Sequence, residues 1–295
     1  MTDQLLGKPV AEGILGDVRA RIDSGRRSGW PTPGLVSVHR ALETPFAVYL
    51  ERQRKTAGQA GIAFRETSLP AATGSLELRT VVSSFNADST AHAVLVEHPL
   101  PETFDFLGAL ATLRPEKDVD GVGAENLGRL VAQRPVQTPA VALGALAILA
   151  HYGIPVRGRR VAVIGRSATV GLPLAILLLA RGSGGDATVT VAHTKSVPLP
   201  GALKAAEIIF SCAGHPGLLT RENVPRGAVV VDVGLSMRPP SWPAEGPRTV
   251  GDANPAEMDG WASAITPVPG GVGPVTVAEL MANAVRGWEL LNGGR

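Results

Sequence analysis

Two stretches set chemistry-bearing residue types at usable spacings. In "AVYLERQRKTAGQAGI" (47–62) the positions of Val48, Leu50, Ala57 and Ala60 suit an amphipathic helix, and Tyr49 and Gln53, four apart, share a face. A proton-transferring residue is the expected neighbour of such a tyrosine, yet position 53 is an amide. In "VAVIGRSATVGLPLAILLLA" (161–180) a Val/Ile run ends at Gly165, and a turn reaching Gly171 feeds an apolar helix. A glycine turn at a helix N-terminus offers backbone N–H groups and a positive dipole end to a pyrophosphate. The spacing is not G-x-G-x-x-G, so a purely structural strand-to-helix turn stays open beside dinucleotide binding.

The end of the next strand-like run reads "AHTKS" (192–196), without the carboxylate that NAD sites place there for the ribose 2′-hydroxyl. Arg166, Lys195 and the hydroxyls of Thr194 and Ser196 suit a phosphate dianion, which favours NADP. Lys195 reads equally well as a solvated loop charge.

Elements to position these residues recur along the chain. From Arg160 onward "VAVIG", "ATVTVAH" (187–193), "EIIFSCAG" (207–214) and "AVVVDVG" (228–234) read as buried parallel strands alternating with helices. The first half offers strands at "LVSVHRA", "GIAFRETSL" and "AHAVLVEHPL", and a long apolar helix at 138–153 joins the halves. The expected fold is α/β, two α/β lobes around a cleft: residues 1–140 plus 276–295 form one lobe. Residues 141–275 form a Rossmann-like parallel sheet that binds NADP, with another doubly wound fold as the alternative. The cleft is the expected site.

Composition narrows the function classes. A chain of 295 residues supports proper cores without staples, and its net charge of +2 is small and scattered, so no nucleic-acid surface is expected. Cys212 is the only cysteine, which excludes an internal disulfide and a cysteine-rich metal site and fits a reducing compartment. The start "MTDQLLGKPV" lacks a secretory pattern, and no run approaches the roughly 20 apolar residues of a membrane span. A cytoplasmic protein with no membrane partner is expected. "RPPSWPAEGPR" (238–248) reads as a surface loop.

Four further segments carry a resemblance: "KDVDGVGAENLGRL" (117–130), "QTPAVALGALAIL" (137–149), "IGRSATVGLP" (164–173) and above all "TPVPGGVGPVTVAELMAN" (266–283). In this order the chain resembles the bifunctional methylenetetrahydrofolate dehydrogenase/cyclohydrolase family nearly end to end. The resemblance implies a two-lobed, usually dimeric subunit with folate in the cleft and NADP or NAD on the C-terminal lobe. It implies oxidation of 5,10-methylenetetrahydrofolate by hydride transfer, then hydration of the methenyl cation to 10-formyltetrahydrofolate. Tyr49 matches the tyrosine that stacks on the folate, and Asp120 the aspartate that binds its pterin ring. Pro269, Gly270, Gly271 and Gly273 match the loop lining the cleft near the folate, where missing side chains allow close backbone approach. Gly165, Arg166, Ser167, Thr194 and Leu235 match nucleotide contacts, and Gly171 and Ser196 lie in the same two segments.

Four positions depart from the family pattern. Gln53 stands where the resemblance places a catalytic lysine, and Lys55 falls about 200° around the helix from it. Glu97 replaces the glutamine that orients that lysine, its neighbour His98 replaces a leucine, and Phe46 stands where serine is usual. An amide does not titrate, so the hydration step is expected to be weak or lost while hydride transfer survives. Should Glu97 enter the cleft near Asp120, one carboxyl pKa should rise and a new acid/base group would result; Glu97 facing solvent is the alternative. Two other readings stand: a non-redox one-carbon transferase or condensing enzyme using methylenetetrahydrofolate, with Glu97 or His98 moving protons, and a non-catalytic folate- and NADP-binding paralogue.

Overall fold

The computed structural model describes residues 1–40, 44–70, 73–97, 100, 104–182, 184–240, 242 and 247–293. In chain order the elements begin β1 (Asp3–Gln4), α1 (Gly7–Arg27), β2 (Gly34–His39), α2 (Thr44–Ala60), β3 (Ala63–Ser68), α3 (Ser75–Ser84), β4 (Ala93–Val96), α4 (Phe106–Leu110), α5 (Ala124–Val131) and α6 (Ala140–His151). They continue β5 (Arg160–Ile164), α7 (Gly171–Leu179), β6 (Thr188–Ala192), α8 (Leu199–Leu203), β7 (Ile208–Ser211), β8 (Val229–Asp232), β9 (Ser236–Met237), β10 (Thr249–Val250), α9 (Pro255–Met258), β11 (Ala264–Ile265) and α10 (Val272–Asn292). Every strand and helix anticipated from the sequence forms. The two-residue strands β1, β9, β10 and β11 carry too little pattern to be seen beforehand.

The chain divides into two compact units: Met1–Ala11 with Val141–Thr276, and Glu12–Ala140 with Val277–Arg295. The first eleven residues thus group with the large sheet rather than with the lobe at 1–140, because β1 pairs in parallel with β11.

In the first of these units six parallel strands run in the order β1-β11-β8-β7-β5-β6. From β5 the chain crosses to β6 on one side and from β6 back past β5 to β7 on the other, so the order reverses between β5 and β7. This is a doubly wound, Rossmann-like sheet, whose ligands bind outside the carboxyl ends of the strands at that reversal. Ile164, Ile209, Val230, Leu203 and Met258 are among its fully packed core residues.

The other unit contains the parallel sheet β3-β2-β4, whose order reverses in the same way between β2 and β4. Period-two alternation explains its two faces. Val36, Val38, Val94 and Val96 pack with Leu78, Val82 and Leu110 on one side. Leu35, Ala93 and Leu95 pack on the other with Val18, Ile22, Ala57, Val285 and Trp288 from the helices. On that second face the pattern turns polar toward the carboxyl ends: Leu35 gives way to Ser37 and His39, and Leu95 to Glu97. Polar side chains at the carboxyl ends of parallel strands, beside the reversal, mark where a ligand would sit.

No helix among the described residues is long and apolar enough to cross a membrane.

Candidate active site

On the small sheet, Ser37 pairs in register with Leu95 of β4 and with Glu66 of β3, so Ser37, Glu66 and the residue two after Leu95, Glu97, share a face. The Glu97 N–H still donates to the Val38 carbonyl at 2.8 Å, which carries the ladder past the strand end and holds the carboxyl inward. Glu97 is 6 % exposed. Ser37 Oγ–H donates to Glu97 Oε1 at 2.8 Å, and Gln53 Nε2–H donates to Oε2 at 3.4 Å. Burial pushes the Glu97 carboxyl above the usual range, and the bonds from Ser37 and Gln53 offset this only in part.

Gln53 itself is fully buried, and its Oε1 has no hydrogen-bond partner among the described residues. A buried carbonyl oxygen left unpaired costs free energy, so this acceptor is set for a donor that arrives with a ligand or as a proton on the facing carboxyl. One turn earlier in α2, Tyr49 is partly buried. Desolvation, then the charges of Glu97 and Asp120, raise its phenol further, while a hydrogen bond from Gln53 works the other way. The phenol therefore stays neutral. Lys55 points away and is exposed, as expected for its position on the helix.

Asp120 lies in a loop fixed from beneath by a residue that the sequence reading passed over. The buried Asp118 carboxylate accepts from the Gly121 and Gly123 N–H groups at 3.1 and 2.8 Å and from Asn126 Nδ2–H at 2.9 Å. Gly121 has φ +70°, and a Cβ there would come within 2.6 Å of the Thr138 backbone, so only glycine serves. Asn283 of α10 donates to the carbonyls of Val119 and Thr138 at 2.9 and 2.8 Å and closes the loop. An aspartate with glycines three and five residues on is the sequence signal for such a turn, had it been sought. Burial, then Asp118 and Glu97, raise Asp120 from 3.8 to about 7.

The sign of that shift makes a prediction. A carboxyl whose folded pKa lies above its unfolded value binds its proton more tightly when folded, so its contribution to stability falls as pH rises from 3.8 to about 7. Asp120→Asn should therefore unfold at higher urea than the parent above that window and at the same urea below it. An identical difference at both pH values would contradict the assignment.

Thus Tyr49, Gln53, Glu97 and Asp120 come together in one unit, with Ser37, His39 and Glu66 as members that the sequence reading missed. His98 lies outside the described residues, as does the Phe46 side chain.

The nucleotide-type residues gather at the other reversal. Gly165, just past β5, has φ +112°, and a Cβ there would meet the Cys212 carbonyl oxygen, just past β7, at 2.6 Å. A Cβ on Gly171 would collide with the Gly165 carbonyl. Between them Ser167 Oγ accepts from the Val170 and Gly171 N–H groups at 3.2 and 3.4 Å, holding the turn that leads into α7. Arg166, Thr194 and Lys195 are exposed beside it, and Ser196 turns the loop by accepting from the His193 N–H at 3.1 Å. A bare backbone cradle at a helix N-terminus, with cations and no carboxylate alongside, fits a dinucleotide carrying a 2′-phosphate. Leu235 is exposed past β8.

Two buried aspartates hold these loops and were not singled out from sequence. Asp232 accepts from the Gly234, Asp252 and Ala253 N–H groups at 2.9, 3.0 and 2.7 Å. Asp252 accepts from Ser211 Oγ–H and the Ala213 and His215 N–H groups at 2.7, 2.9 and 2.6 Å. Cys212 is partly buried, and burial, then Asp252 and Asp232, push its thiol pKa well up, which disfavours the thiolate.

The loop at 267–273 follows β11. Gly271 donates to the Pro267 carbonyl at 2.7 Å, and Gly270 accepts from the Gly7 N–H at 2.8 Å. A Cβ on Gly271 would come within 2.7 Å of Pro267 and Thr266, whereas one on Gly273 would meet open space. Close packing inside the protein therefore explains Gly271, and not Gly273. Pro269 follows a cis peptide bond. No group of acidic, His or Cys residues able to hold a metal occurs among the described residues.

Comparison with known proteins agrees with this geometry. The catalytic-domain model of the tetrahydrofolate dehydrogenase/cyclohydrolase family matches residues 5–120, and its NAD(P)-binding-domain model matches residues 139–291. The bifunctional protein FolD 1 of Salinispora tropica is 41 % identical over 282 residues, 96 % of this chain and 89 % of that protein. The structure of a 5,10-methylenetetrahydrofolate dehydrogenase from the silkworm Bombyx mori matches at TM-score 0.91 and 31 % identity over the whole of both chains. That of the Trypanosoma brucei dehydrogenase-cyclohydrolase, complexed with NADP and an inhibitor, matches at TM-score 0.87 and 34 % identity over 98 % of this chain and 97 % of that one. With both domains matched, the chain belongs to the tetrahydrofolate dehydrogenase/cyclohydrolase family of enzymes.

Proposed function

We propose that this enzyme oxidises 5,10-methylenetetrahydrofolate to 5,10-methenyltetrahydrofolate with NADP, and that its hydrolysis of the methenyl product is weak or lost. The observation that carries the second half is Gln53, a fully buried amide at the place where the resemblance puts a proton-exchanging lysine. NADP, when bound, accepts the hydride. The chain's own part in that step is alignment: Tyr49 offers its ring to the folate, Asp120 and the Gln53 carbonyl offer acceptors to its polar edge, and no protein proton moves. Hydration does need a proton acceptor, and a glutamine cannot be one. A homodimer is the assembly that the resemblance implies.

A second reading, a non-redox one-carbon transferase, draws on the buried Glu97 carboxyl, which has no cation among its hydrogen-bond partners in the described residues. A paralogue that binds folate and NADP without turnover is the third.

The cofactor assignment is tested at Arg166. Arg166→Ala should weaken NADP by about 1.5–3 kcal/mol, the size of a lost charge-assisted bond, and leave NAD nearly unchanged. Calorimetric titration that gives equal affinities for NADP and NAD in the parent enzyme would reject the assignment.

A further inference from the structure

The carboxyl ends of the small sheet hold more acid/base groups than hydride transfer uses. His39 follows Val38, which pairs with Val96, so the ladder sets His39 beside Glu97. A charge on the His39 ring stabilises the Glu97 carboxylate. On the opposite side, His39 Nε2 lies 3.4 Å from Glu66 Oε2. Its Nδ1 lies 2.8 Å from the Arg40 carbonyl. Glu66 is in turn bound by Arg54 and reaches the surface, its side chain 28 % exposed against 12 % for His39. The imidazole therefore stands between a buried carboxyl and a carboxylate in contact with water. Helix α2 contributes Tyr49, Gln53 and Arg54 to this face, β2 contributes Ser37 and His39, β3 Glu66, and the 118–123 loop Asp120.

We propose that Glu97 opens the five-membered ring of 5,10-methylenetetrahydrofolate by general-acid catalysis, an activity separate from hydride transfer. The proposal rests on the folate reading of this site. In the step, the Glu97 O–H gives its proton to the 10-nitrogen while the bond from that nitrogen to the methylene carbon breaks. The lone pair of the 5-nitrogen forms a double bond to the carbon, leaving an iminium cation. A nucleophile then adds to the carbon. With water, addition releases one proton, which replaces the one drawn from Glu97, and the hydroxymethyl adduct passes its hydroxyl proton to the 5-nitrogen as it expels formaldehyde. No oxidant or reductant is consumed. An amine or carbon nucleophile at the same point would carry the one-carbon unit away.

Burial supplies the acid: a carboxyl held above its usual range is still protonated where an exposed glutamate has ionised. The unpartnered Gln53 Oε1 fits the same state, because a protonated Glu97 can donate to it once the amide is turned over. Ser37 acts in the opposite sense, since its hydroxyl stabilises the ionised form.

The test is exchange of isotopically labelled formaldehyde into 5,10-methylenetetrahydrofolate without NADP, followed from about pH 6 to 9, with folate binding measured on the same samples. The parent enzyme should exchange label at least about tenfold faster than enzyme-free solution, and Glu97→Gln should lose about tenfold or more. Ser37→Ala should extend activity to higher pH, and it keeps the test open if Glu97→Gln fails to fold. If folate binds and exchange is no faster than in solution, or Glu97→Gln is unaffected, the proposal is overturned. If folate does not bind at all, the functional reading of the site fails first.

Discussion

Gln53→Lys combined with Glu97→Gln is expected to raise hydrolysis of 5,10-methenyltetrahydrofolate by about 10²-fold or more, the usual worth of a placed acid/base group. Gln53→Lys alone is expected to gain little. A lysine at 53 would meet the carboxyl that now lies 3.4 Å from the Gln53 amide. An ammonium paired with a buried carboxylate has its pKa raised and cannot give up its proton near neutrality. Glu97→Gln removes that charge and supplies a neutral partner, so the lysine can titrate. The readout is loss of the methenyl chromophore, and a single substitution as active as the double one would show that Glu97 does not control position 53.

The largest stability effect is expected at Asp252. Its carboxylate is fully buried and takes three donors, Ser211 Oγ–H and the N–H groups of Ala213 and His215. Asp252→Ala leaves all three without an acceptor, at about 1–3 kcal/mol for each that finds no water, so a loss of about 3–5 kcal/mol is expected in urea unfolding. The loss is partly offset because Asp232, raised to about 7 by burial with Asp252 adding to the shift, is relieved of a like charge. The same change should loosen the loop after β7 that Gly165 packs against, and so weaken NADP binding. A loss below about 1 kcal/mol would mean that water satisfies these donors already.

How much of this was legible follows from what each residue does. The strands and long helices declare themselves because burial on one or both faces imposes a period on the sequence, as at Leu35 to Val38 and Arg160 to Ile164. The position-by-position resemblance picked out Tyr49, Gln53, Glu97 and Asp120, which the fold brings together. Ser37, His39 and Glu66 were missed because a polar residue in a strand reads as solvent-facing; only the register shows that they lie on the face of Glu97. Asp118, Asp232 and Asp252 were missed for a related reason. Their partners are backbone N–H groups, which every residue carries, so no partner residue type marks them in the sequence. The eleven-residue N-terminal segment joined the large sheet through a two-residue strand, too short for any period to show.

The central claim separates two steps that the family couples, and one progress curve distinguishes them. Purified enzyme is mixed with 5,10-methylenetetrahydrofolate and NADP, and NADPH and the methenyl chromophore are followed together. The expected result is that methenyltetrahydrofolate accumulates nearly one for one with NADPH and then decays at the rate seen without enzyme. NADPH formation with no methenyl accumulation, and 10-formyltetrahydrofolate appearing at the same rate, would contradict the account.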